Sequence, residues 1–120
     1  MYKIIFYTDK KGESEIANYL QSLRHKKSKD AKIKLYKITA YMNQLSKNGI
    51  IIGEPYIKHL QGDIWELRPL RDRILFALLD KNIIILLSRF IKQTQKTPQK
   101  EIEKAKKNLK DYIERKTYYE

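Results

Sequence analysis

The segment LQGDIWELRPLRDR carries the cations whose types and spacing best fit a chemical role. If Pro69–Asp72 forms a hairpin loop, Arg68 and Arg73 face each other across two strands, which is unfavourable for like charges. If Asp80–Asn82 forms the next loop, the strand register also places Arg89 opposite Arg73. A folded protein tolerates several guanidinium groups at one edge more readily when an anion such as phosphate lies among them. The spacing therefore indicates a phosphate site at one edge of a sheet.

A second interpretation of the same residues is an ordinary solvated edge without a ligand. Each arginine would then pair with a nearby carboxylate from Glu66, Asp63 or Asp72. A slip of one residue in the register would also move Arg89 away. Lys92 follows the last strand and would bring its ammonium group to the same edge, although taken alone it reads as a surface lysine. The residues alone favour neither of the two interpretations over the other.

Several other chemistries lack the residues they need. The chain has no cysteine, which excludes disulfides, thiol nucleophiles, thiolate zinc sites and iron–sulfur clusters. His25 and His59 are far apart in sequence and have no carboxylates at ligand spacing, and the acidic residues are too dispersed for a two-metal site. No Gly-rich phosphate loop and no Ser-His-Asp pattern is present. We therefore expect neither a metal nor a cofactor.

The charge balance favours a polyanionic partner. The chain has 120 residues, with 26 Lys and Arg against 14 Asp and Glu, and a net charge of +12. This excess favours RNA, DNA, a ribosome or an acidic protein as partner more strongly than it favours mere solubility. The length predicts a single domain over residues 1–120. Apolar runs are too short for a signal peptide or a membrane span, so we expect a cytoplasmic protein with no membrane partner.

Two amphipathic helices are predicted after a short N-terminal strand at Tyr2–Thr8. Apolar residues recur at helical spacing after Ser14, whose hydroxyl can cap the first helix. The second helix can be capped by Ser28 or Asp30, and it ends at Gly49.

The second half of the chain predicts a sheet followed by a long helix. Residues 48–62 predict a loop, and strands follow at Ile64–Leu67, Arg73–Leu79 and Ile83–Phe90. Thr97-Pro98 predicts a helix start, with a hydroxyl cap and proline at the first helical position. The order β-α-α-β-β-β-α favours a small α+β domain with a mostly antiparallel sheet flanked by helices. Counting with a period of two, one face is lined by Trp65, Leu67, Ile74, Phe76, Ile84 and Leu86.

Four segments in sequence order carry a family resemblance: Leu60–Gly62, Trp65–Arg68, Arg73–Phe76, and Phe90 to Pro98 with Glu101, Ile102 and Ala105. Together they resemble the HigB branch of the RelE-type bacterial toxins, which includes proteins labelled as phage-derived Gp49-like. The resemblance follows the whole chain in its order of elements and is sharpest over residues 58–112. It implies a small RelE-like domain with a curved antiparallel sheet.

The resemblance implies a function as the toxin of a type II toxin–antitoxin pair. The family cleaves mRNA, commonly on the ribosome and without metal. The ribose 2′-OH attacks the adjacent phosphate and leaves a 2′,3′-cyclic phosphate and a 5′-OH. The expected partners are the ribosome, its mRNA and a HigA-like helix-turn-helix antitoxin, which neutralises the toxin and represses the operon. Operator DNA is expected to be contacted only through the antitoxin.

The resemblance also implies roles for individual cations. Arg73 matches the arginine that opens the family's arginine–hydrophobic strand and is expected to stabilise charge on the phosphorane. Arg68 is the next cation at the same edge. Lys92 occupies the basic position after the last strand, where it would stabilise charge or transfer a proton. The residues expected to bind the RNA backbone are Lys58, Arg71 and Lys96. Arg89 is also expected to bind it, although Arg89 is not a usual residue of the family and its place depends on the strand register alone.

The resemblance does not identify the general base. RelE itself carries a pair of lysines on the strand where this chain has Ile64 and Glu66. The remaining candidates for an acid or a base are Tyr112 and Tyr118.

Two other functions stay open. A ParE-like toxin of the same fold would poison DNA gyrase without RNase activity, and a basic RNA- or ribosome-binding module would have no activity at all. The cations Arg68, Arg73 and Lys92 favour RNA cleavage over both. The antitoxin or ribosomal RNA is expected to contact either the basic helical hairpin, residues 24–47 with eight cations and one Asp, or the helix after Pro98.

Overall fold

The computed structural model describes residues 1–119, which form a mixed five-stranded sheet and three helices. The strands are β1 (Lys3–Phe6), β2 (Ile57–Gln61), β3 (Ile64–Leu67), β4 (Asp72–Leu78) and β5 (Ile83–Ile91). Their spatial order is β1-β5-β4-β3-β2, in which β1 runs parallel to β5 and the other neighbours are antiparallel. The helices are α1 (Glu15–His25), α2 (Lys29–Asn48) and α3 (Gln99–Tyr119), and a short 3-10 turn, Gly49–Ile52, follows α2.

The sheet separates two apolar layers, each covered by helices. The helices α1 and α2 pack on one face, and α3 packs on the other. The prediction of a small, mostly antiparallel α+β domain flanked by helices is therefore confirmed. So is the face predicted by period-two counting, because its six residues all lie in the layer beneath α1 and α2: Trp65, Leu67, Ile74, Phe76, Ile84 and Leu86.

Local capping explains where α1 and α2 begin and end. The Ser14 and Ser28 hydroxyls each accept a hydrogen bond from the backbone N–H three residues on, at 3.1 and 3.2 Å. Gly49 ends α2 with a φ of 65°, and a Cβ there would lie 2.6 Å from the Tyr2 ring. Both predicted helix starts and the predicted stop are confirmed, with Ser28 rather than Asp30 as the second cap.

The loop predicted over residues 48–62 is wrong in its last part, where β2 forms an edge of the sheet. In this strand Ile57 is buried, whereas the next two side chains, Lys58 and His59, are both exposed. Strands pair through their main-chain groups, and here two consecutive exposed side chains leave no regular alternation in the sequence. The sheet therefore has one strand more than predicted, and its β1–β5 pair is parallel.

Candidate functional site

Arg68 and Arg73 meet at a buried carboxylate where the β3–β4 hairpin ends. Glu66 on β3 is fully buried, and its Oε1 lies 3.2 Å from Arg68 Nε and 3.9 Å from Arg73 Nε. Its Oε2 accepts a hydrogen bond from the Thr97 hydroxyl at 2.7 Å. The predicted cap at Thr97 is wrong, because α3 begins at Gln99, one residue later than predicted. Its first N–H groups, those of Glu101 and Ile102, donate to the Pro98 carbonyl, and the Thr97 hydroxyl donates to Glu66 instead. The two arginines lie together, around a protein carboxylate, as the second interpretation of the sequence allowed.

Arg73 is almost completely enclosed, with 6% of its surface exposed. Its Nη1 donates to the main-chain oxygens of Leu70 and Asp72, both at 2.9 Å. Burial lowers the pKa of the guanidinium and the nearby charge of Arg68 lowers it further, while the charge of Glu66 opposes both. Arginine keeps its proton throughout the ordinary pH range. Arg73 is therefore a buried cation that holds the loop before β4 and adds its field to this edge.

Arg68 is the arginine of this pair that reaches the surface. Its side chain is 22% exposed, and its Nη1 lies 3.9 Å from Oε1 of Glu54, whose own side chain is 72% exposed. Such a solvated pair is weak. The short Nε contact to Glu66 lacks hydrogen-bond geometry, so the two form an ion pair without an aligned N–H. A phosphate can therefore displace Glu54 from the Arg68 guanidinium group at little cost in free energy.

Lys92 lies at the same edge, beside the loop between β3 and β4. Its main-chain N–H donates to the Arg71 carbonyl, and Arg71 Nη2 donates to the Lys92 carbonyl, each at 2.7 Å. Lys92 is half-buried and Arg71 is exposed. Within residues 1–119 no carboxylate pairs with the Lys92 ammonium. We name the surface formed by Arg68, Arg71 and Lys92, with Arg73 behind it, the cationic edge.

Arg89 lies on the other face of the sheet, so its predicted position opposite Arg73 is wrong. The predicted pairing of β4 with β5 holds from the loop as far as Phe76, where a β-bulge shifts the register by one residue. Phe90 therefore pairs with Arg73, and Arg89 pairs with Ile74. Because neighbouring residues of a strand point to opposite faces, the slip removes Arg89 from the cationic edge.

A second carboxylate cluster, which sequence reasoning missed, lies on the α1–α2 face around Asp72. Asp72 is 2% exposed, and its Oδ1 accepts a hydrogen bond from the Tyr19 hydroxyl at 2.7 Å. The Arg89 guanidinium carbon lies 3.6 Å from the centre of the Tyr19 ring. Lys34 Nζ lies 3.9 Å from Asp72 Oδ2. No local pattern reveals this cluster, because Tyr19 and Asp72 are 53 positions apart.

The environment of Tyr19 favours its protonated form. Burial raises the pKa of the phenol, and the hydrogen bond to Asp72 raises it further, while the Lys34 ammonium opposes both. A phenol in its protonated form donates a hydrogen bond and does not act as a general base. Tyr19 therefore serves to satisfy Asp72 and to support Arg89.

The remaining candidates lie apart from the cationic edge or on its margin. Lys58 is exposed on β2 and pairs with Glu66 across the ladder, and Lys96 is exposed in the segment between β5 and α3. Tyr112 is half-buried against the apolar layer beneath α3, so it is poorly placed to act as an acid or a base. The side chain of Tyr118 lies outside the residues whose side chains the structure describes.

Two kinds of feature are not found within residues 1–119. No three His, Asp or Glu side chains there come close enough together to hold a metal ion. No helix in that range is both long and apolar enough to cross a membrane.

His59 packs against Trp65, with ring centres 4.8 Å apart, and its Nε2 lies 2.7 Å from the Gly62 carbonyl.

The geometry of the cationic edge suits the binding and polarisation of a phosphate. Two surface cations, Arg68 and Lys92, flank a loop that is held in place by Arg73. Positive groups fixed before the reaction stabilise charge that develops on a phosphoryl group. The two buried carboxylates at this end, Glu66 and Asp72, are engaged, so neither is free to accept a proton from a substrate. Glu54, beside Arg68, is the carboxylate here that is exposed.

A comparison with known families identifies the family of the chain. The model of the family described as Phage derived protein Gp49-like (DUF891) matches residues 8–110. No curated protein matches the chain significantly. The matched range includes both carboxylate clusters and the cationic edge. The chain therefore belongs to the Gp49-like family, a RelE/HigB-like family associated with the toxins of toxin–antitoxin systems.

Proposed function

We propose that this chain is the toxin of a type II toxin–antitoxin pair and cleaves mRNA on the ribosome as a metal-independent endoribonuclease. Family membership and the net charge of +12 support this function. The observation that carries it is the placement of Arg68 and Lys92 at one accessible edge, with the buried cation Arg73 directly behind. A gyrase poison or a passive binding module has no comparable need for this grouping.

In the proposed reaction, the scissile phosphate lies between Arg68 and Lys92. The 2′-oxygen forms a bond to phosphorus, the bond from phosphorus to the 5′-oxygen breaks, and a 2′,3′-cyclic phosphate remains. Arg68 contacts the charged oxygens, and Lys92 stabilises charge or gives a proton to the leaving 5′-oxygen. Arg73 adds its positive field and positions the loop. The proton of the 2′-OH passes to solvent, to a group of the ribosome or to the exposed carboxylate of Glu54, since Glu66 and Asp72 are engaged.

The other exposed cations would bind the RNA backbone on either side of the cut. Arg71, Lys58 and Lys96 are all exposed and suited to that role. Arg89 is held on Tyr19 and contributes mainly its charge. The proposed partners are the ribosome with its mRNA, and a HigA-like helix-turn-helix antitoxin through which operator DNA is contacted, all in the cytoplasm.

A charge-matched set of variants tests the proposal. We expect Arg68→Gln and Lys92→Gln each to reduce mRNA cleavage in a translating extract by about 100-fold, because each removes one charge that stabilises the transition state. Lys81→Gln is the control, since Lys81 is an exposed cation in the loop at the opposite end of the β4–β5 hairpin. Primer extension on the mRNA measures cleavage as new 5′ ends.

Each alternative function predicts a different result in the same experiment. Cleavage that is unchanged in Arg68→Gln and Lys92→Gln would overturn the assignment of the site. Broken DNA with intact mRNA would favour a gyrase poison. Ribosome binding without new 5′ ends, in the wild-type protein, would favour a non-catalytic binding module.

A further inference from the structure

A cavity of about 350 Å³ opens beside the cationic edge, between the end of β5 and the first turn of α3. Its apolar wall is formed by Phe90, Ile91 and Pro98. Ile91 is 40% exposed there, although it is a large aliphatic side chain. The volume falls within the range of about 300–1,000 Å³ that small-molecule sites occupy.

Uncommitted polar groups face this apolar wall. The cavity is also lined by Gln93 and Glu101, and no described residue pairs with either of their side chains. Thr94 and two cations, Arg89 and Lys100, complete the lining. A mostly apolar concave site with a few free polar groups is the usual form of a ligand pocket.

The position of the cavity ties it to the cationic edge. Phe90 pairs with Arg73 across the β4–β5 ladder, and Ile91 pairs with Asp72. Lys92 is the next residue along the chain. A group bound against Phe90 and Ile91 would therefore lie within one nucleotide of a phosphate held at Lys92.

We propose that this cavity binds one nucleobase of the RNA next to the scissile phosphate, and that it prefers a base with an exocyclic amino group. This inference rests on the proposed nuclease function. A planar heteroaromatic base suits an apolar wall, and base stacking or packing of this kind is tolerant of base identity. Selection then comes from Glu101, whose carboxylate only accepts hydrogen bonds. Adenine, cytosine and guanine each offer an exocyclic amino group to it, whereas uracil offers only its ring N3–H, between two carbonyl oxygens that repel a carboxylate.

The test maps the bases that flank every cut made in a translating extract. The wild-type protein should cut with a base preference at one flanking position, and uracil should be the least frequent base there. Glu101→Gln, which replaces a pure acceptor by a group that also donates, should reduce the discrimination against uracil about tenfold while cleavage continues. Glu103→Gln is the matched control, because it removes a carboxylate from the same helix outside the cavity. An unchanged preference in Glu101→Gln would overturn the inference.

A binding experiment separates failure of this inference from failure of the proposed function. Isotope-labelled protein is titrated with the four nucleoside 5′-monophosphates, with ribose 5-phosphate and with inorganic phosphate. The inference predicts shifts of the Ile91, Gln93 and Glu101 amide signals with the adenosine, cytidine and guanosine monophosphates, and smaller shifts with uridine monophosphate. Equal shifts with ribose 5-phosphate, or none at these residues, would overturn it. If mRNA stays intact but these base-dependent shifts appear, the nuclease proposal fails and the base site stands.

Discussion

The same end of the sheet carries a buried carboxylate on each of its two faces, and the two are satisfied differently. On the α3 face, Glu66 is flanked by two guanidinium groups at 3.2 and 3.9 Å and accepts a hydrogen bond from the Thr97 hydroxyl. On the α1–α2 face, Asp72 accepts a hydrogen bond from a phenol, and its nearest cation is an ammonium 3.9 Å away. The first cluster is mainly ionic, whereas the second depends mainly on one hydrogen bond from an uncharged donor, supported by a longer ion pair.

This difference shows how the fold resolves a row of like charges. Three arginines lined up on one edge would repel each other. The carboxylate of Glu66 lies between two of them, and the β-bulge in β5 moves the third, Arg89, to the other face of the sheet. There the Tyr19 ring replaces a counter-ion. The cationic edge is therefore left with a small excess of positive charge.

The largest expected effect comes from the ionic cluster. Glu66→Gln leaves the buried guanidinium of Arg73 without its counter-charge, so we expect the free energy of unfolding to fall by about 3–5 kcal/mol. Urea denaturation followed by circular dichroism measures this loss. The double variant Glu66→Gln with Arg73→Gln should lose less than the sum of the two single variants, because the pair is coupled.

Glu54→Gln is the control for that measurement. Glu54 also lies near Arg68, but its side chain is 72% exposed, so its removal should change the free energy of unfolding by less than about 1 kcal/mol. Equal losses from Glu54→Gln and Glu66→Gln would contradict the ionic account of the α3 face.

Disruption of the cluster around Asp72 should lower the free energy of unfolding less than disruption of the cluster around Glu66, and the loss should depend on pH. Tyr19→Phe leaves Asp72 Oδ1 without its donor, and we expect the free energy of unfolding to fall by about 1–3 kcal/mol. Because the pKa of Tyr19 is raised in the folded protein, its contribution is complete below the ordinary phenol pKa of about 10 and is lost as the pH rises further. Tyr36→Phe is the control, since that ring is 72% exposed.

The contrast between the two clusters would fail if the stability of Tyr19→Phe and that of its control Tyr36→Phe depended on pH in the same way. The wild-type protein should lose stability more steeply above pH 10 than Tyr19→Phe does. Tyr7, whose pKa is also raised by burial and by its hydrogen bond to Asp111, keeps part of this slope in both proteins. If the stability of Tyr19→Phe fell above pH 10 as steeply as that of the wild-type protein, the hydrogen bond to Asp72 would not be what keeps the Tyr19 hydroxyl protonated.

The smallest expected effect is at Arg89. Stacking of a half-buried guanidinium on a tyrosine ring contributes about 1 kcal/mol, so Arg89→Gln should lower the free energy of unfolding by about that amount. Arg89→Lys keeps the charge but loses the planar contact, and we expect it to recover less than half of the loss. A loss as large as that of Glu66→Gln would mean that Arg89 takes part in the ionic cluster after all.

Sequence reasoning succeeded where a local signal decides the structure. The caps Ser14 and Ser28 and the stop at Gly49 each act within a few residues of where they stand. The pairing of Arg68 and Arg73 near Glu66 also followed from one short hairpin. Such features depend on neighbours in the chain, so the sequence displays them.

Features that depend on distant neighbours were not visible in the same way. The β-bulge next to the Phe76 pair has its extra residue in β5, in a stretch where both faces are apolar. No alternation of residue types therefore marks the inserted residue. The hydrogen bond between Tyr19 and Asp72 joins a helix to a strand from the other half of the chain. The strand β2 is an edge strand whose Lys58 and His59 are exposed, so its sequence resembles a loop.

The chemistry of the cut ends tests the central claim most directly. Fragments from an mRNA cleaved by the wild-type protein on ribosomes are analysed at both new termini. Attack by the 2′-oxygen at the cationic edge predicts a 2′,3′-cyclic phosphate on the upstream fragment and a 5′-OH on the downstream fragment, with both lost in Arg68→Gln and Lys92→Gln. A 3′-OH paired with a 5′-phosphate, or cyclic ends that persist in both variants, would contradict the account.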